Sequence, residues 1–306
     1  MFLKNRTEPE ELLILKHLNK RMELTPNDRK RLTNLQRGFE GEVQFDNLAK
    51  NIIEERYILN DLRLEVNNSE LQIDSFIISQ GITYLLDVKN FYGDFYIEGD
   101  QLFSIKTGEE YKNPLDQLKR SALLLRQLFN YYNFNFLIEP YVIFVNPEFT
   151  LYQAPMDHPF ILPTQNNRFI RELNETPSRL NEGHKKLAQT LLSLHQPKNR
   201  FQKLPEYRYE QLKKGMLCKK CGCFFSKIDH RNLVCENCGE LEKIESAILR
   251  NTEEFKLLFP ERKVTTSGIE EWCRIDLSNR TFRRVLKKHY PWIGNTKDTY
   301  FKPGYN

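Results

Sequence analysis

Side chains on a β-strand alternate with a period of two, so residues i and i+2 share a face. In Leu85-Leu86-Asp87-Val88-Lys89 this sets a carboxylate beside an amine, with Leu86 and Val88 on the opposite side. In the preceding segment, Gln72-Ile73-Asp74 carries a second carboxylate. If the two segments form a hairpin, Asp74 and Asp87 open at one mouth of a sheet. A third acid, Glu42, falls in the middle of a helical stripe formed by Phe39, Val43, Ala49 and Ile53, where a structural residue would be apolar. Burying a bare carboxylate is costly, so Glu42 needs a cationic partner, and Lys89 or a shared metal ion would serve.

Three carboxylates and a lysine make a hard oxygen set of the kind that suits Mg²⁺ or Mn²⁺, which keep waters for a phosphate to replace. Such an ion activates an attacking water and neutralises charge developing on a phosphodiester. Lys89 would orient the nucleophile or stabilise the pentavalent phosphate. Any one of these acids, met alone, reads as an ordinary surface salt bridge. It is the ordered set that points to a metal site.

A second constellation lies later in the chain. Cys218-Lys-Lys-Cys221-Gly222 and Cys235-Glu-Asn-Cys238-Gly239 are two Cys-x-x-Cys-Gly knuckles. Each glycine permits the tight turn that brings two thiolates to one ion. Four thiolates suit tetrahedral Zn²⁺, which folds a segment too small to hold a core of its own; an iron or redox role is the alternative. Cys223 adjoins the site as a spare ligand, and Cys273 lies on an apolar helix face.

The carboxyl-terminal region is basic. A helix over about 241–259, a short helix at 266–273 and another starting at Ser278 and ending at His289 are expected. In the last, Phe282, Val285, Leu286 and His289 turn inward, leaving Arg280, Arg283, Arg284, Lys287 and Lys288 outside. Two helices joined by a brief turn, the second basic, fit a helix-turn-helix. Trp292-Ile293, a Gly294-Asn295 turn and Thr299–Lys302 would add a wing. These cations would contact mainly phosphates of DNA, unless they are simply a solvated face.

The elements that must position the acids follow from periodicity. An amphipathic helix is expected over 37–53, strands over 57–66, 70–79 and 82–89 with a turn at Gln80-Gly81, and further extended pieces at 95–97 and 102–105 continuing the same sheet. Pro114 opens a long helix to about Tyr132, and Tyr141–Val145 is a short apolar strand. Helices near 166–173 and 181–195 close the unit. The order helix, three strands, helix, strand describes an α/β core with a mixed sheet.

With 306 residues the chain exceeds the size at which one core keeps growing. The expected division is an N-terminal helical segment 1–34, a catalytic domain 35–196, a linker 197–214 holding Pro197 and Pro205, a ribbon 215–241 and a helical tail 242–306. Residues 1–196 hold 23 Lys/Arg against 27 Asp/Glu, whereas 197–306 hold 23 against 14, so the tail has the charge for a polyanionic partner. The run Leu12–Leu15 is too short and too closely bracketed by charges for a signal or membrane span, and a cytoplasmic location is expected. No GxxxxGK[ST] or GxGxxG fingerprint appears, which removes support for ATP-driven or nicotinamide chemistry.

Gly38-Phe-Glu-Gly-Glu42, Gln72-Ile-Asp74 and Asp87-Val-Lys89, in that order, resemble the nuclease-related domain (NERD) family, a branch of the PD-(D/E)xK restriction-endonuclease-like superfamily. The resemblance covers about residues 35–150. It implies an αβββαβ core in which Glu42, Asp74 and Asp87 bind Mg²⁺ and Lys89 assists the attacking water. Asn113-Pro114 with Gln117-Leu-Lys-Arg120 is similar to the family's helix motif after the sheet, which implies that Gln117 lines the site; a plain solvated role is the alternative. The usual proline before the first aspartate is replaced by Ile73. A zinc ribbon followed by a helix-turn-helix resembles the tails attached to some bacterial members. The function implied is a Mg²⁺-dependent nuclease acting on DNA, the alternative being a non-catalytic nucleic-acid-binding or regulatory protein on a nuclease fold.

Overall fold

A computed structural model of the chain describes residues 1–197, 202–294 and 299–302. The elements begin with β1 (Phe2–Lys4), α1 (Glu10–Arg21), α2 (Pro26–Ala49), β2 (Tyr57–Val66), β3 (Ser69–Ile78) and β4 (Ile82–Lys89). They continue with β5 (Gly93–Glu98), β6 (Gln101–Ser104), β7 (Glu110–Tyr111), α3 (Pro114–Tyr131), β8 (Leu137–Phe144), β9 (Phe149–Tyr152), β10 (Phe160–Ile161), α4 (Asn166–Glu175) and α5 (Glu182–Leu194). After these come β11 (Lys227–Asp229), β12 (Asn232–Val234), β13 (Leu241–Lys243), α6 (Ile244–Leu258), α7 (Thr266–Cys273), α8 (Asn279–His289), β14 (Trp292–Ile293) and β15 (Tyr300–Phe301). The chain divides into two compact units, Met1–Pro9 with Thr33–Gln202, and Glu10–Leu32 with Lys203–Asn306.

The first unit is built on a six-stranded mixed sheet in the order β1-β2-β3-β4-β8-β10. Strands β2, β3 and β4 form an antiparallel meander, and β8 then joins β4 in parallel after the α3 crossover. This is the αβββαβ order, running α2-β2-β3-β4-α3-β8. Asn67 and Asn68, both with positive φ, close the β2–β3 hairpin, a conformation asparagine tolerates better than most residues. Helix α3 starts where Asn113 Oδ1 accepts from Leu115 N at 3.0 Å and Pro114 takes the first turn, whose amide would lack a partner anyway.

Alternation along the strands sorts the core into two faces. Phe76, Ile78 and Leu85 pack with Leu118, Ala122 and Leu125 of α3 and Leu187 and Leu191 of α5. Ile77, Leu86 and Val88 pack with Phe45 and Ala49 of α2 and Phe169 and Leu173 of α4.

Three expectations change here. The pieces at 95–97 and 102–105 do not extend the main sheet; they form β5 and β6 of a separate four-stranded sheet, β7-β6-β5-β9. Strand β4 already has β3 on one edge and β8 on the other, so the pieces that follow it in the chain cannot pair with it. The helix stripe in α2 is Gly41, Phe45 and Ala49, not Phe39, Val43 and Ile53, and Ile53 lies beyond the helix and is exposed. Finally, residues 1–34 are not one helical segment. Phe2–Lys4 pairs with β2, held there by the amino terminus on the Arg56 carbonyl and by Lys4 Nζ on the Asn60 and Asp61 carbonyls.

The second unit holds the three-stranded antiparallel sheet β11-β12-β13 and helices α1, α6, α7 and α8. Ala247, Ile248 and Phe255 of α6, Ile269 and Trp272 of α7 and Phe282, Val285 and Leu286 of α8 share one core with Ile14 and Leu18 of α1. Arg21 is fully buried, donating from Nε and Nη2 to the Glu254 carboxylate at 2.7 and 2.9 Å while its guanidinium covers the Trp272 ring. The helix expected from 241 starts at Ile244, because Leu241–Lys243 is used as the third strand of the small sheet. Trp292–Ile293 pairs with Tyr300–Phe301 as a hairpin, whose expected turn residue Asn295 lies outside the described residues.

Candidate functional site

The register of β3 on β4 is fixed by the pairs Ser75↔Leu86 and Phe76↔Leu85, which bring Asp74 opposite the Asp87 end of β4. There the Asp74 side chain replaces a backbone acceptor, with Oδ2 taking the Val88 amide at 2.8 Å. Asp87 and Lys89 emerge together on the α3 side, as the period of two requires. Lys89 Nζ donates to Asp87 Oδ1 at 2.9 Å and to Gln117 Oε1 at 3.2 Å, and Gln117 Nε2 donates to Asp87 Oδ1 at 3.2 Å. The three residues thus form a closed triangle of bonds, with Gln117 exposed at its rim.

The other oxygen of Asp87, Oδ2, is buried and accepts no hydrogen bond. A buried, partnerless carboxylate oxygen is costly unless a cation meets it. Burial pushes the Asp87 carboxyl up to about 7, against the pull of Lys89 and with the push of Asp74. A bound cation would reverse that balance. The residues therefore fit a hard divalent ion at Asp87 Oδ2.

Glu42 reaches this centre from α2, which approaches closely because residue 41 is glycine: a Cβ there would lie 2.4 Å from Cβ of Asn90. Its partner is neither Lys89 nor another strand residue. Arg6 donates from Nη1 to Glu42 Oε2 at 2.5 Å, from Nε and Nη2 to the two oxygens of Asp46 at 3.0 and 3.1 Å, and from Nη2 to the Asp74 carbonyl at 2.7 Å. Despite Arg6, burial and then the charge of Asp74 push Glu42 up to about 8. Desolvation works against the Arg6 charge, but the bond and charges of Asp46 and Glu42 outweigh it and raise its pKa.

Sequence reasoning misses Arg6 and Asp46. Asp46 carries a signal, since it lies one helical turn after Glu42 on the same side of α2. Arg6 carries none, because its contacts are made across 36 to 68 positions of sequence.

The cysteines converge more tightly. Sulfurs of Cys218 and Cys238 lie 3.7 Å apart and those of Cys221 and Cys235 3.4 Å apart. Zinc–thiolate bonds of about 2.3 Å in a tetrahedron imply sulfur separations of about 3.8 Å, so the donor set, within 4.8 Å throughout, fits a zinc ion. Gly222 and Gly239 have φ of 70° and 71° and donate to the Cys218 and Cys235 carbonyls at 2.9 and 2.8 Å, the two knuckle turns. Cys223 is exposed and is not among the four ligands, and Cys273 is buried in the core. Among the described residues, the tetracysteine is the one group of three or more such ligands with all donor atoms within 4.8 Å of one another. Donor atoms of Glu42, Asp74 and Asp87 do not all lie that close together.

Residues 37–145 match the family model of the nuclease-related domain. No curated protein and no solved structure matches the chain. The matched segment contains Glu42, Asp74, Asp87, Lys89 and Gln117, so the acidic centre lies inside it, whereas Arg6 precedes it. A cleft of about 560 Å³ opens beside Gln117, lined also by Gln72, Lys112, Asp116 and Arg120.

In the basic tail, Arg280, Arg283 and Arg284 are exposed on α8. Lys287 Nζ stands over the Trp292 ring at 5.0 Å. Lys288 and His289 both bond Glu245, at 2.7 and 2.6 Å, so His289 faces outward rather than into the core. The α8 core contacts end with Leu286 and leave the last turn to solvent and to that acid. Among the described residues, no helix is long and apolar enough to cross a membrane.

Proposed function

We propose that the chain is a divalent-cation-dependent nuclease that hydrolyses phosphodiester bonds of DNA. The observation that carries this reading is the buried, partnerless Oδ2 of Asp87 beside Lys89 and Gln117, within the nuclease-related segment. Asp74 and Asp87 would hold Mg²⁺ or Mn²⁺, with Glu42 acting directly or through a water. When bound, the ion supplies a more acidic water and charge neutralisation at the phosphate.

The protein's own groups do the rest. An ammonium has three donors, and Lys89 spends two on Asp87 and Gln117, which leaves the third for the attacking water or a phosphate oxygen. Gln117 fixes the direction of that third donor. Water oxygen bonds to phosphorus as the bond to the leaving oxygen breaks; the water gives up its proton, and the leaving oxygen takes one from solvent. The cleft beside Gln117 offers Lys112 and Arg120 for phosphates of the strand being cut.

In the same reading, the tetracysteine holds structural zinc. Helices α7 and α8 with the β14–β15 hairpin serve as a winged helix-turn-helix, and Arg280, Arg283, Arg284, Lys287 and Lys288 face phosphates. A non-catalytic nucleic-acid-binding role is favoured by one observation, that Arg6 already neutralises Glu42. Linear, circular, single-stranded and branched DNA incubated with the protein under Mg²⁺ and Mn²⁺ separates the two. Cleavage that disappears in Asp87→Ala supports the nuclease, and intact DNA in every case supports the binding protein.

A further inference from the structure

We propose that Arg6 is a positioning residue of the acidic centre, and that the first nine residues, which precede the family-matched segment, complete its divalent-cation site. The inference rests on the nuclease reading above. Its ground is the set of bonds that one buried side chain makes. The Arg6 side chain is 3% exposed, and a guanidinium so placed keeps its position only if its donors are satisfied.

Two of its bonds form a fork on Asp46, a residue outside the proposed ligand set. The fork fixes the plane of the guanidinium, as Lys could not. The remaining bonds then reach the Glu42 carboxylate on α2 and the main-chain carbonyl of Asp74 on β3. Arg6 thereby ties the helix acid to the strand acid, although neither element pairs with the other through backbone bonds. With one oxygen of Glu42 held by Nη1, its other oxygen is restricted in where it can turn. The backbone of Asp74 is held from one side by Arg6 while its carboxylate is held from the other by the Val88 amide. The arrangement limits both acids to a small set of positions before any cation arrives, which lowers the ordering cost of binding.

Arg6 itself is brought there by β1. Phe2 and Lys4 are in register with Ile58 and Leu59 of β2, and the chain leaving that strand carries residue 6 to the centre. The nuclease-related segment alone lacks this group.

The test measures Mn²⁺ binding to the full chain by titration, with zinc present throughout, for wild type, Asp87→Asn, Arg6→Met, Arg6→Lys and Asp46→Asn. Partners that orient metal ligands typically contribute roughly 10- to 100-fold to affinity. Arg6→Met is expected to weaken Mn²⁺ binding by that amount, Arg6→Lys by less, and Asp46→Asn by an intermediate factor. On a cleaved substrate, kcat should fall while KM for DNA stays unchanged. Unfolding temperature is followed for each protein; if Arg6→Met does not fold, Asp46→Asn and Arg6→Lys carry the comparison. Wild-type affinity in the Arg6 and Asp46 variants, or tighter binding, overturns the inference while the nuclease reading stands, provided Asp87→Asn no longer binds the ion. Wild type and Asp87→Asn that both fail to bind Mn²⁺ remove the nuclease reading and this inference together.

Discussion

The tetracysteine group is assembled by its own neighbourhood: two knuckle turns carry all four cysteines, from Cys218 to Cys238, with the short strands β11 and β12 between them. The acidic centre takes Glu42 from a helix, Asp74 and Asp87 from two strands, Gln117 from another helix and Arg6 from the chain's first residues. In the first case all four sulfurs stand within 4.8 Å of one another. In the second, Arg6, Lys89 and the Val88 amide each hold one of the carboxylates, and Oδ2 of Asp87 is left buried without a partner. On the proposed reading, the first design would make the fold of its segment depend on the ion, and the second would make ion binding depend on a fold that exists without it.

The largest effect that would break this contrast is on the ribbon. Structural zinc binding of this kind contributes roughly 10 kcal/mol or more to folding. We expect about one zinc per chain by elemental analysis, and loss of ordered ribbon structure on chelation or in Cys235→Ser, read by amide exchange in residues 216–243. Freshly purified protein without zinc would overturn it.

Acidic-centre variants should behave in the opposite manner, keeping the fold and losing chemistry. Asp74→Asn and Lys89→Ala are expected to reduce cleavage on the order of 100-fold or more, with thermal stability nearly unchanged. Lys89→Ala should retain the cation, since an ammonium is not a ligand for one, whereas Asp74→Asn should lose it. Glu42→Gln should be the mildest of the acid changes, roughly 10-fold. If these variants instead unfold together with their activity, the acidic centre is structural like the ribbon.

Glu254 offers a smaller, pH-dependent effect within the cysteine-bearing unit. Burial works against its charge, but hydrogen bonds from Arg21 and His17 outweigh that and lower it from an ordinary 4.5 to about 2. A depressed carboxylate stabilises the fold above the ordinary value, and that contribution is lost as pH falls from about 4.5 towards about 2. At about 1.4 kcal/mol per pH unit it comes to about 3 kcal/mol. Glu254→Gln should cost a similar amount at neutral pH, because Arg21 is left buried without its counter-charge. Denaturant melts that are equally pH-sensitive in Glu254→Gln and wild type would remove this role.

The smallest effects are expected on α8. Replacing Arg283, Arg284, Lys287 and Lys288 by Ala should weaken DNA binding and flatten its salt dependence by about one unit of slope for each phosphate no longer neutralised. Lys288 should matter least, since Glu245 already holds it. Equal affinity at low and moderate salt would return the helix to a solvated face.

What can be read from sequence divides along the same line as the two centres. The cysteine knuckles are legible because their spacing alone dictates the turn, and Asp87 with Lys89 because alternation along one strand dictates a shared face. Gln117 comes from the family resemblance, with its bonds to Asp87 and Lys89 visible only once α3 is packed on β4. The stripe of α2 escapes apolar periodicity because Gly41 and Phe45 are chosen by what they meet, Asn90 and the sheet. Strands β5 and β6 look like more of the main sheet because sequence does not show that β8 has taken the β4 edge. Arg6 depends on a parallel pairing of three residues, too short a strand to announce itself.

Asp87 is expected to hold a divalent ion which the hydrolysis requires, and this expectation can be measured. It is tested most directly by the rate of DNA cleavage as Mg²⁺ is raised, for wild type and Asp87→Asn, both fully loaded with zinc and with equal measured affinity for the DNA. The expected result is a rate that rises and saturates with Mg²⁺ for wild type and falls on the order of 100-fold for Asp87→Asn. Wild-type cleavage matched by Asp87→Asn at every Mg²⁺ concentration would contradict it.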